Sequence, residues 1–211
     1  MYNHWLCGLP DKRTGNSAMK FGTWFSECLR GGEQMKVHRV VTGHTHDGAA
    51  TIIRDSEVEG ITTPLVPGME LHRLWAGDDA PSVPYEGDVS VVGSYFPQVG
   101  GFRFGLYTVP PESAMELSDS ELRKAFQDFE RDLPGLLSHM EPENPGMHTT
   151  DTVDFEYVLS GEVWLELDNG EEVHLKPGDT VVQNGTRHAW RNKSTKPCQM
   201  VVFAVGAHRR E

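Results

Sequence analysis

Between Thr152 and Asn192 the chain is cut into short runs by turn signals that recur about every 7 to 10 residues. The runs DFEYVLSG, EVWLELDNG, EEVHLKPGD, TVVQNG and TRHAWRN carry the β-branched and aromatic residues that suit a pleated, half-buried surface. Asn169-Gly170 fits a type I′ hairpin turn, which needs positive φ at both central positions. Pro177-Gly178 fits the two central positions of a type II turn. Short strands divided this closely predict an antiparallel sandwich or barrel.

The segments upstream extend the pattern. VHRVV and AATIIR read as strands on either side of GHTHDG, whose Asp47-Gly48 is a hairpin turn signal. GMELHRLWA and FRFGLYTV alternate as strands do. The span 77–101, with Pro81, Pro84 and Pro97, reads as a long loop over the surface or over a pocket mouth. One helix is marked in LSDSELRKAFQDFERDL. Ser118 and Glu121 make a capping box, Leu117 and Leu122 the hydrophobic staple, and Pro134-Gly135 the stop. Leu122, Phe126, Phe129 and Leu133 form its expected packing stripe.

The first 34 residues show neither period. GGEQ directly before Met35 can be encoded by a purine-rich stretch resembling a bacterial ribosome-binding sequence. Met35 is therefore expected as the natural start, with 1–34 a translated upstream region. The alternative is a short arm that packs Trp5, Trp24 and Phe25. The domain itself is expected over 35–211.

The formal net charge of −12 argues against nucleic acid as a partner. Three distant cysteines, Cys7, Cys28 and Cys198, make no disulfide framework and favour a reducing cytoplasm. No apolar run reaches membrane-spanning length, so no membrane partner is expected.

Candidate chemistry lies in GMHTTDTVDFEYVLSG. His148, Thr150, Thr152, Asp154 and Glu156 alternate, so an extended chain puts them on one face, with Phe155, Tyr157 and Leu159 on the other. That face reads as a metal cage, a metal-free acid–base site or a polar surface. His188 and Trp190 share a face further on. His44 and His46 flank a turn that explains them without a ligand role. His72 reads as a satisfied strand histidine, Cys198 as an inert packing residue, and Asn192 as a turn residue.

HTTDTVDFEYVLSGEVWLEL followed by LKPGDTVVQNGTRHAWRN resembles the two motifs of the cupin superfamily. The first motif runs His-x-His, three or four residues, Glu, six residues, Gly. His148 and Gly161 match, Thr150 stands at the second histidine, and Asp154 replaces the glutamate. In the second motif Gly178, His188 and Asn192 match, Asn184 replaces a proline, and the next glycine is shifted to Gly185. The resemblance implies an all-β double-stranded β-helix (a jelly roll), with the helix inserted before the C-terminal strands. It also implies a homodimer that binds a small organic molecule.

His148, Asp154 and His188 are the implied catalytic set and the implied ligands of a divalent metal (Fe, Mn, Ni or Zn). Thr150, Glu156, Trp164 and Trp190 are the expected substrate-binding residues, and the two tryptophans would suit an aromatic or polyketide-like ring. Aspartate falls roughly 1.5 Å short of glutamate's reach, which keeps a metal-free enzyme and a non-catalytic ligand-binding module open. A metal-dependent dioxygenase, decarboxylase or isomerase is the enzyme expected; isomerase, epimerase and decarboxylase chemistry needs no metal.

Overall fold

The computed structural model describes residues 36–85, 93–112 and 117–210. The segment 1–34, and with it both readings of its origin, lies outside the described residues. The described chain opens with an antiparallel hairpin, β1 (Val37–His44) and β2 (Ala50–Val58). Gly48 takes φ 84° in its turn and donates to the Thr45 carbonyl at 2.9 Å, the conformation a glycine adopts freely.

The remaining strands are β3 (Ile61–Thr62), β4 (Glu70–Gly77), β5 (Phe102–Val109), β6 (Thr152–Ser160), β7 (Val163–Glu166), β8 (Glu172–Leu175), β9 (Thr180–Asn184), β10 (Ala189–Arg191) and β11 (Cys198–Gly206). They form a six-stranded sheet, ordered β3-β4-β5-β11-β6-β9, and a three-stranded sheet, β10-β7-β8. All paired neighbours are antiparallel. Val158, Cys198 and Met200 of the large sheet pack against Val163, Leu165 and Leu175 of the small one. The result is a double-stranded β-helix.

The turn residues act as their chemistry requires. Asn169 and Gly170 both take positive φ, and the Glu171 amide donates to the Asp168 carbonyl, closing the type I′ turn. Gly178 takes φ 99° and the Asp179 amide donates to the Lys176 carbonyl, closing the type II turn.

Helix α1 (Asp119–Asp132) starts at Ser118 with both halves of the capping box present. Its buried face runs through Ala125, Phe129 and, just past its end, Leu133. Phe126 is 45% exposed, so the expected stripe is corrected at that position. Ala125, three residues after Leu122 and four before Phe129, takes the buried position instead. Phe129 and Leu133 pack on Leu71 together with Tyr95, Phe96 and Tyr107. The helix thereby closes one end of the barrel beside the candidate site.

Candidate functional site

Strand β6 alternates as read from the sequence. Thr152, Asp154, Glu156 and Val158 are buried, while Phe155, Tyr157 and Leu159 are exposed. The strand itself begins at Thr152, although the alternation of burial continues back to Thr150; residues 149–151 are outside it. His148 therefore belongs to a different part of the barrel. Its backbone pairs with that of His188, the residue before β10, through amide-to-carbonyl bonds of 2.9 and 3.0 Å.

This pairing brings the two imidazoles side by side, with ring centroids 4.2 Å apart. Each ring meets a backbone carbonyl through Nδ1: His148 to Gly146 at 3.0 Å, His188 to Thr186 at 2.9 Å. A carbonyl only accepts, so each Nδ1 carries the proton and each Nε2 keeps a lone pair. Burial lowers the pKa of both rings. His188 falls to about 4, through burial first and the neighbouring His148 second. His148 is lowered by burial, with His139 adding to it. Both are neutral imidazoles at neutral pH.

Asp154 and Glu156 form a second group. Asp154 is pushed up to about 6 by burial, against a bond from Thr152. Burial, and then the Asp154 charge, hold Glu156 well above the usual carboxylate range; the Tyr107 hydroxyl donates to it at 3.4 Å. Gln183 lies directly across from Asp154 on β9 and is also buried. Thr150 and Thr152 are buried and bonded to each other at 2.8 Å.

The sequence set is thus brought together only in part. His148 and His188 meet; Asp154 stands with Glu156 and Tyr107, and neither carboxyl is among the groups that shift the imidazoles. Among the described residues no three or more His, Cys, Asp or Glu side chains are grouped to hold a metal ion. Two bare Nε2 atoms suit a metal, but no carboxyl among the described residues is grouped with them to complete the two-histidine, one-carboxylate set. The residues present do not fit that set.

Trp190 stands edge-on to His188, with centroids 6.0 Å apart, and packs with the core residue Leu165. Trp164 does not wall the interior. Its neighbours Val163 and Leu165 point into the core, so strand alternation turns Trp164 outward. It stacks flat on His174, whose Nε2 meets Glu162 at 2.7 Å. Asn192 holds a turn, donating to the Val109 and Lys196 carbonyls and accepting from Ser194. Cys198 is a buried free thiol pushed up to about 12 by burial.

Sequence reasoning missed Phe96 and Arg103. The Phe96 ring stacks over His148 with centroids 6.1 Å apart, and meets His139 edge-on at 4.8 Å. It also walls a cleft of about 660 Å³, shared with Asp78, Gln98, His139, Thr152 and Arg209. Arg103 fixes this wall. Its guanidinium donates to the carbonyls of Gly77, Ser94 and Tyr95 and pairs with Asp78 at 2.7 Å. An aromatic residue between prolines and glycines in the 77–101 loop was the only available signal.

Comparison with known proteins agrees with the fold. Residues 136–204 match the Cupin_2 family, the cupin domain. The phomopsin biosynthesis cluster protein C' of Diaporthe leptostromiformis is 34% identical over 116 residues, 50% of this chain and 61% of the relative. The oryzines biosynthesis cluster protein J of Aspergillus oryzae is 52% identical over 50 residues, 24% of this chain and 28% of the relative. A cupin-domain-containing oxidoreductase, srdB of Neurospora crassa, is 41% identical over 56 residues, 26% of this chain and 29% of the relative. The chain spans less than two thirds of each of these relatives. Among the described residues no helix is long and apolar enough to cross a membrane. The matched segment 136–204, which supplies strands to both sheets of the double-stranded β-helix, is a cupin domain.

Proposed function

We propose that this cupin is an enzyme that moves a proton on a small organic molecule held in the barrel, without a metal. The observation that carries the reading is the imidazole pair. Two neutral rings, each fixed through Nδ1 by a backbone carbonyl, present bare Nε2 atoms, with His188 buried and His148 partly so. A bare Nε2 accepts a proton, and an adjacent second Nε2 accepts a hydrogen bond from the ring that has taken it. His148 is the base, and His188 steadies it after proton uptake. Asp154, Glu156 and Thr150 line the interior where the substrate lies. Abstraction and return of a proton at one carbon is isomerase or epimerase chemistry, and it needs no redox partner.

Two relatives named for biosynthesis clusters support a place in small-molecule biosynthesis, and a third, named as an oxidoreductase, supports an enzyme. The matched segments are too short to bring the named activity across. The same reading has the protein working as a homodimer in the cytoplasm.

The test uses a small-molecule extract incubated in heavy water with wild type and with His148→Ala. Mass spectrometry should show deuterium entering one metabolite with wild type alone, and a chelator should leave the exchange intact. Stoichiometric iron, manganese, nickel or zinc in protein purified without chelator or affinity-tag metal, together with chelator-sensitive turnover, overturns the metal-free reading. No exchange with either protein reduces the chain to a ligand-binding module.

A further inference from the structure

Buried polar atoms in folded chains are almost always hydrogen-bonded, and each exception asks for an explanation. The barrel interior has three exceptions side by side. Asp154 Oδ1, Glu156 Oε2 and Gln183 Nε2 have no partner within the protein. Each residue is more than nine-tenths buried. Asp154 and Glu156 are two apart on the inner face of β6, which spaces their side chains by about 7 Å. Gln183 is the direct cross-strand neighbour of Asp154. On the other flank Asp154 faces Ala204 and Glu156 faces Val202, neither of which offers a polar side-chain atom.

We infer that these three atoms recognise a ligand carrying a primary ammonium group next to a carbonyl oxygen, the α-amino carbonyl unit of an amino-acid derivative. This rests on the reading above only in taking the barrel interior as the place where the small molecule lies. The two orphan oxygens belong to carboxyl groups; the Thr152 hydroxyl acts on Asp154, and Asp154 and the Tyr107 hydroxyl act on Glu156. No cation is among the groups that shift either carboxyl. A ligand ammonium supplies that missing charge and three donors, enough for both carboxyl oxygens and one hydroxyl. The Gln183 amide is an orphan donor, so a bare amine leaves it unmatched, whereas a neighbouring carbonyl satisfies it. An anionic ligand meets two acids. A metal ion has no use for an amide N–H. Thr152 links this subsite to solvent, because it contacts Asp154 and also lines the 660 Å³ cleft. Tyr95, Tyr107 and Phe96, packed together at that end of the barrel, suit a ligand with an aromatic side chain.

The full chain is titrated calorimetrically with phenylalaninamide, N-acetylphenylalaninamide and 2-phenylethylamine. The first should bind, the second at least tenfold more weakly because its nitrogen carries no charge, and the third at an intermediate level. Glu156→Gln should lower phenylalaninamide affinity at least tenfold without lowering the melting temperature. Gln183→Met should bring phenylalaninamide down to the level of 2-phenylethylamine. Should Glu156→Gln fold poorly, Asp154→Asn is read the same way. Equal binding of the acetylated probe, binding unchanged by the carboxyl substitutions, or no binding of any probe overturns the assignment. Loss of deuterium exchange with amine binding retained overturns the proton-transfer reading alone.

Discussion

His188 and Asp154 pull the stability of the fold in opposite directions as pH changes. The His188 pKa is depressed on folding to about 4 from an ordinary 6.5. The unfolded chain therefore binds its proton more readily, and stability is lost as pH falls from 6.5 through 4. Asp154 is raised from 3.8 to about 6, so its folded form holds the proton more firmly. Stability tied to Asp154 is complete below 3.8 and is lost as pH rises through 6. That interval corresponds to about 3 kcal/mol. Asp154→Asn keeps the shape and removes the charge. It should raise stability at pH 8 by about 2–3 kcal/mol and change little at pH 4, read from urea denaturation at the two values; an equal gain at both would mean that the carboxyl is not held neutral by burial. Motif spacing singled out His148, His188 and Asp154, because a motif fixes strand position, and the structure sets the first two side by side. The spacing did not show that Asp154 parts from the histidines, since the break at 149–151 depends on where the backbone leaves β6. Trp164 was misplaced for a related reason: its side is set by the parity of β7, and residue type alone says nothing of parity.

Local elements were read well wherever one short-range rule decides them. The capping box, the two hairpin turns and the strand runs all depend on residues a few positions apart. Ser118→Ala removes the acceptor for the Glu121 amide and should cost about 1 kcal/mol, seen as a lower denaturation midpoint with an unchanged slope. Long-range clamps stayed hidden. Nothing near Arg103 in sequence announces that register will bring Gly77, Asp78 and the 94–96 segment around its guanidinium. Arg103→Met leaves those carbonyls without a donor and the Asp78 charge without its partner. A destabilisation of about 2–3 kcal/mol is expected, because buried carbonyls lose their donor while Asp78 is part-exposed. The freed segment should lift Phe96 from His148, so diethylpyrocarbonate should modify His148 faster in this variant than in wild type. Equal modification rates would show that Phe96 keeps its place without the clamp.

At the scale of the whole molecule, the outer face of the six-stranded sheet stands out. Register lines up Val182, Phe155, Phe203 and Phe104 across four adjacent strands. All four are exposed, and Tyr157 and Leu159 on β6 widen the patch. The row was half legible: β6 parity gave Phe155, Tyr157 and Leu159, but Phe203 joins them only through the β11–β6 register. A monomer seldom leaves so broad an apolar patch in water without a use for it. A second copy of the same sheet is self-complementary, because a two-fold axis through Phe203 sets each row against its twin. Phe203 lies near the middle of the row and stacks with Phe102 and Phe155 at centroid distances of 6.0 and 6.5 Å. A charge there would be trapped at the centre of the interface, whereas in a monomer it would face water. Phe203→Glu should therefore separate the dimer while leaving the barrel folded. Sedimentation at micromolar concentration should give two chains for wild type and one for the variant, with circular dichroism unchanged. Wild type sedimenting as one chain would leave the row without this partner. A variant that stays dimeric would move the interface to another face of the barrel.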